Sequence, residues 1–114
     1  MLLMLLGAQI TVTATDASAA PSEQDRITAT EMLAYAEWRN CILRVTHHKS
    51  RSIKDHDAVA DIAIAGCAGR EAEYRQSLLA LGQYYKLGDP AGFAARNSAQ
   101  ARKSLRDMAL KELE

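Results

Sequence analysis

All three histidines of the chain fall within VTHHKSRSIKDHD, residues 45 to 57, and Asp57 directly follows the last of them. Three imidazoles and a carboxylate are proper ligands for zinc, copper or nickel. A chain reversal in this stretch can bring His47, His48, His56 and Asp57 to one end of a hairpin. Three features oppose a built metal centre. Adjacent histidines on a helix point about 100° apart, so the two do not share an ion easily. Lys49, Arg51 and Lys54 lie between the histidines and repel a cation. An exposed turn also offers few partners to orient the rings. The expectation is therefore no metal and no cofactor, with metal binding or sensing by His47, His48, His56 and Asp57 as the alternative function.

Cys41 and Cys67 are the only cysteines. They lack the close pairing of a zinc site. Cys41 stands among Trp38, Ile42 and Val45, an apolar setting unlike that of a reactive thiol. The midpoint between the two cysteines is residue 54, inside the polar stretch described above. A reversal there sets Cys41 level with Cys67 across an antiparallel helix pair, and a disulfide is expected. A bridge closing the loop from 41 to 67 contributes roughly 3 to 4 kcal/mol in the chain-entropy estimate.

The remaining chemistry is basic. Arg96, Lys103 and Arg106, with Arg102, fall on one face of the last helical segment and form the candidate surface for an unknown protein or an anionic envelope component. Nucleic acid is excluded as a partner: charges balance at 14 basic and 14 acidic, and no stacking aromatics accompany the arginines. No nucleophile elbow, HExxH or glycine-rich phosphate loop occurs, and no catalytic residue is assigned. Asp55, Asp57 and Asp61 sit where carboxylates are expected on helix-dipole grounds.

Three helices must position these groups. The first is predicted over about 22–46, with Ile27, Ala34, Trp38, Cys41 and Val45 at three- and four-residue spacing. Ser22 with Asp25, or Thr28 with Glu31, starts it. The second is predicted over about 57–87, with Ala60, Ala63, Cys67, Tyr74, Leu78, Leu81 and Tyr85 in line and Asp55 or Asp57 as cap. Gly66 and Gly69 flank Cys67 and cost about 1 kcal/mol each against alanine. One reading has them admit the first helix closely, with Trp38 over Gly69. The other has GCAG break the second helix in two. Gly88 is predicted to take the left-handed position that ends this helix, Asp89 to cap the next and Pro90 to open it, giving a third helix over about 90–113.

The first twenty residues differ from the rest. MLLMLLGAQITVTATDASAA opens with an apolar run and ends in Ala17-Ser18-Ala19, a small-x-small pattern for signal peptidase. Residues 1–19 read as a secretory signal peptide, although the usual basic opening is absent: either the amine of Met1 supplies the charge or translation starts upstream. Gln9, Thr11 and Thr13 interrupt the run well short of the ~20 apolar residues needed to cross a bilayer. Cleavage removes one acid, Asp16, and leaves 14 basic and 13 acidic residues in a single helical domain, 20–114. Export also places the cysteines where disulfides persist.

The order Trp38-x-x-Cys41, a polar turn, DAVADIAIAGC from Asp57, REAEYRQSLL from Arg70 and then GDPA resembles a class of small, uncharacterised bacterial exported proteins. The resemblance implies a helical fold and an address outside the cytoplasm, and brings no activity with it. The sequence thus points to an all-α, three-helix domain with a disulfide-bridged hairpin, periplasmic or secreted. It points to no enzyme, but to an interaction or structural role in the envelope.

Overall fold

A computed structural model describes residues 22–114; the expected signal peptide, 1–19, lies outside the described residues. Four helices follow in order: α1 (Glu23–Ser50), α2 (His56–Gly66), α3 (Ala68–Tyr84) and α4 (Pro90–Glu112). Each start has a local cause. Ser22, not Thr28, opens α1, its hydroxyl accepting the Asp25 N–H at 3.1 Å. Asp55 opens α2 by accepting from the Asp57 and Ala58 N–H groups. Asp89 opens α4 through the Gly92 N–H at 3.0 Å, with Pro90 in the first turn.

The helices form three antiparallel rods, the middle one jointed. Going down the first interface, Cys67 meets Cys41, Arg70 meets Glu37 and Tyr74 meets Tyr35. Going down the second, Asp61 meets Arg106, Glu71 meets Arg102 and Arg75 meets Ser98. As one partner's number rises the other's falls, which is the signature of antiparallel packing. The core runs along both seams through Trp38, Ile42, Val59, Ala63, Tyr74, Leu78 and Leu105. Each large apolar side chain buried there contributes about 1.5 to 3 kcal/mol.

Two expectations about the helices need correction. The first helix continues to Ser50 rather than stopping near Thr46, so His47 and His48 are helical and not part of a loop. Lys49, in the last turn, suits the negative end of the helix dipole. The expected second helix is two helices, which makes four among the described residues. Only Cys67 leaves the helical path, at φ −108° and ψ 21°. Its N–H bonds to Ala63 and Ile64, and its carbonyl accepts from Arg70 and Glu71, so the hydrogen-bond ladder passes the joint almost unbroken. Two weak helix formers and a covalent tie to Cys41 meet at that one residue.

The glycines work differently from the expectation too. A Cβ on Gly66 or Gly69 would meet nothing within 4 Å, so neither admits a close neighbour. Trp38 packs instead against Tyr74, ring centres 5.5 Å apart. Gly82 is the close-approach glycine: a Cβ there would lie 3.3 Å from Pro90 and 3.4 Å from Phe93, where α4 folds back on α3. Nor does Gly88 end the helix, because no described glycine has positive φ; Lys86 does so at φ 56°.

Candidate functional site

The disulfide is the best-defined site. Cys41 and Cys67 are bonded with their Cα atoms 6.0 Å apart, joining the middle of α1 to the α2–α3 joint. A shallow groove beside it is lined by Gly66, Gly69, Arg70 and Glu73. Both cysteines are nearly covered, with Cys67 2 % and Cys41 9 % exposed.

The histidines are spread along the hairpin end and not focused on a point. His47 and His48 lie in the last turns of α1 and His56 is the first residue of α2, all exposed. Asp57, the fourth expected ligand, accepts from Arg106 at 3.1 Å. Among the described residues no three His, Cys, Asp or Glu side chains group closely enough to hold a metal ion.

The expected basic stripe on α4 divides by partner. Arg96 and Lys103 are exposed and enter no ion pair among the described residues. Arg106 turns inward, its Nε bonding Asp61 at 2.9 Å and its Nη2 bonding Asp57. Those two hydrogen bonds, Asp61 first, raise the guanidinium above its ordinary pKa. Arg102 also turns inward. Its Nε and Nη2 both donate to one oxygen of Glu71, Nε at 2.8 Å, and Arg75 approaches the same oxygen at 3.5 Å. The bond to Glu71 raises Arg102 as well, against the opposing effect of burial. Glu71 is only 7 % exposed, and its arginines compensate the cost of burying a carboxylate. Of the three residues expected to face a partner, Arg96 and Lys103 remain available and Arg106 is a tie between α4 and α2.

A second basic surface lies at the hairpin end, where α1 turns into α2. Between Glu37 and Asp55 the sequence has no acid and has Arg39, Arg44, Lys49, Arg51 and Lys54. Arg44, His47, His48 and Arg51 stand at i, i+3, i+4 and i+7, which places them along one face, and all four are exposed. A shallow groove there is lined by Arg44, Val45, His48 and Lys49. The acid-free run was visible in the sequence. Weighing Lys49, Arg51 and Lys54 only as charges that repel a metal ion hid it.

Among the described residues no helix is long and apolar enough to cross a membrane. Comparison with family models, curated proteins and solved structures finds no match to this chain.

Proposed function

We propose that this chain is a small exported protein, periplasmic or secreted, that acts by binding another macromolecule and not by catalysis. The Cys41–Cys67 disulfide carries the reading, since such bonds persist in oxidising compartments and are rare in reducing ones. The apolar opening of the sequence and its Ala17-Ser18-Ala19 end support the same address. Support for a binding role comes from exposed cations that no internal carboxylate neutralises, Arg96 and Lys103 among them. Buried Glu71 has arginine partners instead of the histidine that acid–base chemistry would favour.

Expression of the full chain in a bacterium tests the address. Osmotic shock should release a shortened protein starting near Ala20 with one intact disulfide. Full-length protein with two thiols in the cytosolic fraction would remove the proposal. For the binding role, crosslinking in envelope extract should lose products when Arg96 and Lys103 are changed to Glu. Unchanged products would take the α4 surface out of the account. Arg106 is kept intact in this test, because its substitution would disturb the α2–α4 contact.

A further inference from the structure

We propose that the hairpin end, built on Arg44, Arg51, Lys49 and Lys54, docks onto an anionic phospholipid surface. The proposal goes beyond the α4 surface above: it assigns a second surface with a ligand of its own, and rests on the earlier reading only for its exported setting. Four cations at this end enter no ion pair among the described residues. The nearby acids are already engaged. Asp55 accepts the first N–H groups of α2, and Arg106 reaches across from α4 to take both Asp57 and Asp61. An arginine from another helix therefore pairs with two carboxylates beside this end and offsets half of their charge, while the four cations of the end itself stay unpaired.

The helix dipole accounts for part of the pattern only. Lys49 and Arg51 lie at the C-terminal end of α1, where cations are favoured. Arg44 is almost two turns from that end. Lys54 sits just before the N-terminus of α2, where the dipole opposes a positive charge. Charge concentrated against that tendency needs another cause.

The chemistry of the end favours a lipid plane over a nucleic acid. No Phe, Tyr or Trp occurs between Trp38 and Tyr74, and Trp38 is fully buried, so the end lacks the large aromatic faces on which bases stack best. The end is a reversal between two helices, bearing long flexible side chains around half-buried Val45 and Ile53. Clusters of four or more Lys and Arg on a helical end are a recognised form of attraction to anionic head groups.

Cosedimentation of the exported protein with vesicles tests the proposal. One set holds equimolar phosphatidylcholine and phosphatidylglycerol, the other phosphatidylcholine alone. The protein should pellet with the anionic set, remain in solution with the neutral set, and be released by added salt. Each basic side chain near such a surface strengthens partitioning about fivefold. The variant Arg44→Gln, Arg51→Gln, Lys54→Gln should therefore bind on the order of a hundredfold more weakly, by the same rule. Arg96→Gln with Lys103→Gln, on α4, should bind like the parent. Circular dichroism melting of each variant separates loss of binding from loss of fold. No pelleting with anionic vesicles, equal pelleting with neutral ones, or equal weakening by the α4 pair would each overturn the proposal. Capture of an acidic protein without vesicle binding would overturn it too, yet leave the broader binding role standing. Retention in the cytosol would remove the exported role while the vesicle result still stood on its own.

Discussion

Thr46 lies one turn beyond Ile42 in α1, 1 % exposed, and its hydroxyl meets no partner; the indole N–H of Trp38, also fully buried, is in the same condition. An unsatisfied buried polar group costs about 1 to 3 kcal/mol. Thr46→Val keeps the branched shape and removes the hydroxyl, so it should stabilise the fold by about 1 kcal/mol. Urea unfolding checks this, and a lower midpoint would mean that the hydroxyl has a partner after all. Tyr74 supplies a second residue-level expectation. Burial, then the charges of Glu31 and Tyr35, raise its phenol above the ordinary value of 10.0. The folded state therefore holds this proton more tightly than the unfolded state. Its contribution is fully present below pH about 10 and falls as pH rises through the elevated folded value. Ultraviolet titration should show a phenolate component above the usual tyrosine range, absent in Tyr74→Phe. At this scale the sequence was legible for the cysteines, whose types and helical register sufficed. It was not legible for Arg102 and Arg106. Their partners lie 31 and 45 residues away, and charge alone does not show which arginines turn inward.

The end of α3 shows how a local rule was met by an unexpected residue. Leu87 N–H bonds the Gly82 carbonyl and Lys86 N–H bonds that of Gln83, a Schellman closure with Lys86 in the left-handed position. Glycine is the usual occupant there, and Gly88, two residues on, drew the expectation. A non-glycine residue in this region carries a penalty of roughly 1 to 2 kcal/mol. Lys86→Gly should remove it, less the chain entropy that glycine adds, for a net gain of about 0.5 to 1 kcal/mol. The melting temperature should rise by roughly 2 to 8 °C. Gly88→Ala should be neutral or mildly stabilising, since a Cβ at residue 88 meets nothing and its φ is not positive. Destabilisation by Gly88→Ala would instead return the left-handed role to Gly88. Helix starts were the most legible elements, because Ser22, Asp55 and Asp89 cap through side chains that a sequence displays. The break at Cys67 was legible only as one of two readings. The apolar pattern runs straight through it, and the bond that meets it comes from another helix.

At the scale of the molecule, the Cys41–Cys67 bond ties the first rod to the joint of the second, near the middle of the first interface. The interactions on either side of it are modest: an exposed Arg70–Glu37 pair and the packing of Tyr74 with Tyr35 and Trp38. Exposed ion pairs contribute little. About 93 described residues can bury only a thin core, and alanine fills much of it. The cross-link should therefore supply a large share of the stability, roughly 3 to 4 kcal/mol from chain entropy. The double variant Cys41→Ser, Cys67→Ser should show a fall of that size in chemical denaturation. The all-helical class and the bridged hairpin were readable in advance from periodicity and cysteine placement. The number of helices and the surface left for a partner were not, because both depend on contacts between rods. The most direct measurement is intact mass of the protein recovered from an oxidising compartment, after alkylation under denaturing conditions with and without prior reduction. The account expects no alkylated thiol before reduction and two after it. Two thiols alkylated before reduction would contradict both the cross-linked fold and the compartment inferred from it.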